Sequence, residues 1–176
     1  GEEINAIAEL YDNLYFLLTD SIYKVSLVGG ADTFQVSKIT DDIGSIAKNS
    51  VQGITLANSQ NGLVFLDKDR KIYFFNGVYP QEISLLIADE MRGLGAARLP
   101  YAGSADTTTD YYLCLSADST TQNDLCLDLQ YQIGEWTKHT GLSTPNFIEL
   151  AHDPLAIAAF EGASAGGYFC GGQAST

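Results

Sequence analysis

Few side chains in this sequence are of types that do chemistry, and their spacing leaves most of them idle. His139 and His152 are the only histidines. Neither sits in a motif that pairs it with a nucleophile, so both read as surface or hydrogen-bonded polar residues rather than general bases. Asp67 and Asp69 form an Asp-x-Asp, but Arg70 and Lys71 follow where a calcium loop would supply glycine and more oxygens, so a solvated turn is expected there. Asp106 and Asp110 flank Thr107-Thr108-Thr109 and could offer oxygens to a cation, though a polar loop is the simpler reading. A hydrolase needs a nucleophile with its base, or two carboxylates at a set separation. No such set stands out, and no phosphate-binding Gly-Lys-Ser/Thr or Gly-x-Gly-x-x-Gly follows a strand pattern. The expectation is therefore a chain with no catalytic residue, no cofactor and no metal. The one constellation that points to a ligand is Trp136 with Tyr131, which could form an aromatic platform for a sugar or a partner, against the plainer reading that they pack outer strands.

Cys114, Cys126 and Cys170 are odd in number and contain no Cys-x-x-Cys, which argues against a disulfide framework and a zinc cluster alike. Each lies among apolar neighbours, as small buried hydrophobes do. A hairpin centred near Thr120 would set Cys114 opposite Cys126 and make one cross-strand bridge geometrically possible, but a reducing compartment fits the set best. The charge is lopsided: 22 Asp and Glu against 9 Lys and Arg give a net −13. That disfavours gripping phosphate backbones or anionic lipid, leaving ordinary solubility, or a channel wall along which DNA slides, as the meaning of the acid. No run approaches the ~20 apolar residues of a membrane helix, and no secretory signal pattern opens the chain. A first residue Gly1 and a sole methionine at Met91 fit a segment of a longer protein or one that has lost a leader or tag.

The elements that would position these residues come from an internal repeat. Asn13-Leu14-Tyr15-Phe16-Leu17-Leu18-Thr19-Asp20-Ser21-Ile22-Tyr23 aligns with Gly62-Leu63-Val64-Phe65-Leu66-Asp67-Lys68-Asp69-Arg70-Lys71-Ile72-Tyr73, one residue longer in its turn. Further copies open at Tyr111-Tyr112-Leu113-Cys114-Leu115 and at Leu155–Phe160, giving a period of roughly 45 to 50 residues, that of propeller blades. Each copy divides into short strands: Ile4–Leu10, Leu14–Thr19, Ile22–Leu27 and Phe34–Ile39, then Val51–Ala57, Leu63–Asp67, Lys71–Phe75 and Gln81–Leu86. The third gives Ala97–Ala102, Tyr111–Ser116, Leu125–Tyr131 and Glu135–His139, and the fourth stops after Phe147–Leu150, Leu155–Phe160 and Tyr168–Cys170. The second strands are apolar on both faces, Leu14, Phe16 and Leu18 one way and Tyr15 and Leu17 the other, so they should be covered on both sides. Helix is confined to a turn or two in Ile87–Leu99, which Gly93 and Gly95 interrupt. The fold expected is all-β, one domain over 1–176. It is a β-propeller-like repeat of about four four-stranded blades (2–44, 45–90, 91–141, 142–176), the last incomplete, with a β-sandwich as the alternative. Either the remaining blades lie elsewhere in a larger protein, or an N-terminal strand closes the ring on the last blade.

These units resemble blades of tailed-bacteriophage structural proteins. The residues that carry the likeness are Val51–Ala57, Gly62–Leu66, Lys71–Gly77 and Pro80–Ser84, preceded by Glu3–Ile7, Asn13–Phe16 and Ser21–Val25, and followed by Leu127–Leu129 with Gly134–Thr137. Lys71 stands where that pattern has glycine, and the loop from Ser116 to Asn123 is long for it. The resemblance implies a head-to-tail connector, nozzle or tail-hub component of the virion, assembled in the host cytoplasm. Its partners would be other virion proteins or its own copies, with no grip on nucleic acid and no membrane. A lectin-like propeller that binds glycans is the alternative function, and a glycosidase-like propeller, needing carboxylates that converge near the axis, is the third.

Overall fold

The computed structural model describes residues 2–29, 33–117 and 123–140, together with the backbone of three later strands at 147–149, 156–159 and 168–171. The fold is mostly β: four separate antiparallel meanders follow one another along the chain. The first sheet is β1 (Ile4–Leu10), β2 (Asn13–Leu18), β3 (Ile22–Leu27) and β4 (Phe34–Thr40). The second is β5 (Gln52–Thr55), β6 (Asn61–Leu66), β7 (Ile72–Phe75) and β8 (Pro80–Glu82). The third is β9 (Gly103–Asp106), β10 (Asp110–Leu115), β11 (Leu125–Gln130) and β12 (Glu135–Thr140). The fourth holds β13 (Phe147–Glu149), β14 (Ala156–Ala159) and β15 (Tyr168–Gly171). In each sheet spatial order equals chain order, so every sheet is an antiparallel meander.

Local chemistry sets the turns. Asn76-Gly77 closes the β7–β8 connection with Gly77 at φ +91, and the Asn76 side chain accepts the Val78 amide at 3.1 Å. The β1–β2 turn puts Tyr11 and Asp12 both at positive φ, +50 and +58, the pair of left-handed residues that matches strand twist in a two-residue hairpin. Tyr11 is held in that conformation at both ends: its carbonyl accepts from Asn13 Nδ2 at 2.6 Å, and its hydroxyl donates across to the Asn61 carbonyl of the second sheet at 2.8 Å.

Two expected strands take another form. Ala97–Ala102 is a 3₁₀ turn over Ala96–Tyr101, and the third sheet begins instead at Gly103. Pro100 supplies no amide to a ladder, and Arg98 and Ala102 donate back to Gly95 and Leu99, three and three residues earlier. Gln81–Leu86 shortens to Pro80–Glu82 and passes into a 3₁₀ turn at Leu85–Ile87 and the one-turn helix α1, Ala88–Arg92. This helical connection buries Met91, Leu94 and Leu99 between the second and third sheets.

Because strand side chains alternate, each sheet has two faces, and the first three sheets stack in sequence order. The back of the first sheet (Tyr15, Leu17, Ile22) packs on the front of the second (Leu63, Phe65, Tyr73, Phe75), with Tyr15 edge-on to Phe75 at 5.1 Å. The back of the second (Val64, Leu66, Ile72, Phe74) packs on the front of the third (Leu113, Leu115, Leu125, Leu127). Covering on both sides, expected for every second strand, therefore holds for β6. It fails for β2, whose front side chain Leu14 stays 44% exposed because no sheet among the described residues lies over that face.

Short polar tethers join the sheets where β5 and β9 run side by side. A parallel bridge links Asn49 to Gly103, the Ser104 amide donates to the Asn49 carbonyl at 2.8 Å, and Gln52 Nε2 donates to the Ser104 carbonyl at 3.1 Å. β13 in turn runs beside β9. No helix among the described residues is long and apolar enough to cross a membrane.

Candidate functional site

Tyr131 and Trp136 are brought together. Tyr131 follows β11 and Trp136 lies on β12, opposite Leu129, so both come to the same edge of the third sheet. There they line a cleft of about 320 Å³ against Ile54, Phe74 and Ile83 of the second sheet's side. Neither ring is a free platform. The Trp136 indole N–H donates to the Ile83 carbonyl at 3.1 Å and so bridges the two sheets. Tyr131 is 7% exposed, its hydroxyl donates to the Thr107 carbonyl, and its amide donates to Thr109 at 3.0 Å. Burial, with Asp106 and Asp110 nearby, pushes its phenol up to about 12, so it stays protonated at neutral pH. The rest of the lining is apolar apart from Gln60 and Gln81, groups that can hold a ligand by contact and amide hydrogen bonds but cannot transfer a proton.

Two shallower hollows continue from this cleft and share Ile54 with it, one of about 510 Å³ beside the β1–β2 turn and one of about 420 Å³ beside the β9–β10 turn. Glu9 lines the first and Asp106 the second. The Asp106 to Asp110 loop closes on itself. Asp110 accepts hydrogen bonds from the Thr107 hydroxyl at 3.2 Å and from the Thr109 hydroxyl, and its amide donates to Thr107 Oγ1 at 2.9 Å. Its oxygens shape a turn, as the polar-loop reading holds.

Asp67 is the clearest correction at a site residue. It is not solvated but 1% exposed. One carboxylate oxygen accepts the Gly44 amide at 3.4 Å and the other accepts the Asp69 amide at 3.2 Å, so the side chain clasps the connector between the first two sheets. The Asp-x-Asp spacing looked like an exposed turn because sequence shows the turn but not the strand connector laid over it. Burial raises the Asp67 carboxyl above its ordinary range, against the opposing pull of these backbone donors.

A second grouping was invisible to spacing because it runs across strands. Cys114, Cys126 and His139 share one row of the third sheet, and His139 Nε2 lies 3.4 Å from Asp128 Oδ2. Cys114 and Cys126 stand directly opposite each other, as the hairpin reading placed them, and are reduced thiols. The residue types match a nucleophile relay, but the thiols are 1% and 2% exposed, so no substrate reaches them. His152 and Cys170 side chains lie outside the described residues. Among the described residues no cluster of three or more His, Cys, Asp or Glu side chains is arranged to hold a metal ion.

Burial raises the Asp128 carboxyl too, with His139 pulling the other way. For both Asp67 and Asp128 the folded chain keeps its proton at pH values where the unfolded chain has lost it. Stability is thus expected to fall as pH rises from about 4 toward neutrality. Urea midpoints measured across that range should decline, and Asp67→Asn should flatten the decline; a midpoint that rises with pH would contradict the assignment.

No protein-family profile and no curated protein matches this chain.

Proposed function

We propose that the successive meanders are blades of a β-propeller and that the chain is a non-catalytic scaffold within a tailed-bacteriophage particle, binding neighbouring virion proteins through its sheet faces and turns. The observation that carries the scaffold reading is the broad apolar face of the first sheet that no described residue covers, since large exposed apolar patches mark contact sites. The propeller reading is supported by the back-on-front stacking of the first three sheets and by β5, β9 and β13 lying side by side. The hollows along the turns present amides, hydroxyls and apolar walls, which suit binding better than bond-breaking. The virion assignment rests on the blade resemblance alone. Electron microscopy of particles made without the parent gene should show a defective head-tail junction or tail; normal, infectious particles would overturn it.

One observation favours a second reading. Trp136 and Tyr131 share a cleft with two glutamine amides, the combination of ring and amide that glycan sites use. A glycan array probed with the purified chain and with Trp136→Ala decides it: signal that the substitution abolishes would support a lectin-like propeller, and background alone removes it.

A further inference from the structure

The front of the first sheet is an exposed apolar surface with one charge of each sign at its edges. Its side chains fall in two neighbouring rows, Glu9–Leu14–Val25–Val36 and Ile7–Phe16–Tyr23–Lys38, each crossing all four strands, with Leu27 and Phe34 extending them. The equivalent positions of the second sheet, Leu63, Phe65, Tyr73 and Phe75, are buried under the first sheet. In the first sheet Ile7, Leu27, Phe34 and Val36 are each about 60% exposed. Among the described residues the same apolar design is thus covered in the second and third sheets and open in the first. At strand spacings of about 4.8 Å and rises of about 3.3 Å the open face measures roughly 20 by 20 Å, enough to form the core of a standard-sized interface.

We propose that this face is a dimerisation surface occupied by the same face of a second copy of the chain. The charges select that occupant. Glu9 and Lys38 are the only charged side chains in the two rows, and they sit on the two edge strands, one row apart. Lys38 is held over the Tyr23 ring, its Nζ 5.6 Å from the centroid, so its ammonium stays on this face. A two-fold axis lying in the interface, roughly along the strands, exchanges the two edges. It sets Glu9 of each copy against Lys38 of the other while the apolar residues between them pack sheet on sheet. The face therefore carries no net charge and pairs its own ends, although the whole chain at −13 repels a copy approaching anywhere else. The inference deepens the scaffold reading by naming a second copy as the partner on that same open face, and it stands without the virion assignment.

Sedimentation equilibrium on the purified chain tests it. The expected result is a species of twice the 19.0 kDa chain mass, concentration-dependent below about 100 μM. Val36→Glu, at an exposed position, should leave the far-ultraviolet dichroism unchanged and give monomer only. Glu9→Lys and Lys38→Glu should each weaken the dimer about tenfold, because each brings like charges together twice, and the double exchange should restore it. A monomeric wild type, a Val36→Glu dimer, binding of the monomer to lipid vesicles in place of self-association, or failure of the double exchange to restore the dimer would each overturn the proposal. None of these outcomes bears on whether particles need the protein, so the two readings fail separately.

Discussion

Gly44→Ala is expected to destabilise the fold by about 3 kcal/mol or more, the upper range for forcing an atom into a filled space. A Cβ at this position would lie 2.1 Å from the Leu18 carbonyl oxygen and 2.7 Å from the Ser21 amide nitrogen, both backbone atoms that cannot rotate away. The approach is close because residues 44–46 form the clasp between the first two sheets. The Gly44 amide reaches Asp67, the Ser45 amide donates to Leu18 at 2.8 Å, and the Ile46 amide donates to Leu66 at 2.9 Å. Asn5 Nδ2 adds a bond to the Ser45 carbonyl at 2.7 Å. Moving the connector to admit a methyl group would break several of these at once. Gly53 is the control: a Cβ there meets nothing within 4 Å, so Gly53→Ala should be close to neutral or slightly stabilising. Urea denaturation of the two variants separates them, and equal midpoints would show that the clasp is not where the first sheet is held.

The second large effect is at Tyr111, a fully buried side chain whose hydroxyl donates to the Ser50 carbonyl at 2.8 Å and so ties the third sheet to the start of the second. Its surroundings are dry enough to raise the phenol well above its ordinary pKa. Tyr111→Phe keeps the ring but leaves a buried carbonyl without that donor, a cost of about 1 to 3 kcal/mol. Tyr111→Ala also opens a cavity and should cost about 3 to 5 kcal/mol. If the hydroxyl is a tether, amide exchange in the Phe variant should quicken first in β5 and β10, the strands at its two ends. Uniform quickening throughout the chain would show that Tyr111 contributes bulk alone.

The sequence made the strands legible because their physics is local. Alternating and doubly apolar runs, broken by Asn76-Gly77 or Asp12-Asn13, marked most elements to within a few residues, and the repeat placed equivalent strands in register. What escaped it was set by other parts of the chain. Ala97–Ala102 has a strand-like composition, yet Pro100 and the lack of a neighbouring ladder turn it to 3₁₀. Asp67, Ser45 and Ser50 look like loop residues, and only the passage of residues 44–50 between two sheets buries them. Ser50 shows how such burial is tolerated: its hydroxyl donates to the Ala47 carbonyl at 2.9 Å and accepts the Leu66 amide at 3.1 Å. At the site, Trp136 and Tyr131 were recognisable by type. That the Trp136 N–H is already spent on the Ile83 carbonyl depends on how the second and third sheets meet, and that the Tyr131 hydroxyl is spent on Thr107 depends on how the β9–β10 turn folds over β11.

The radial arrangement of the sheets is the claim on which the rest depends, and pulsed electron spin resonance on pairs of labels tests it most directly. Gln35 on β4, Gln81 on β8 and Lys138 on β12 are exposed residues on the last strand of each sheet. Blades fanning from a common axis predict similar separations for the 35–81 and 81–138 pairs and a longer one for 35–138. Two opposed layers would instead put the first and third sheets in one layer, and a 35–138 separation no greater than the other two would contradict the propeller.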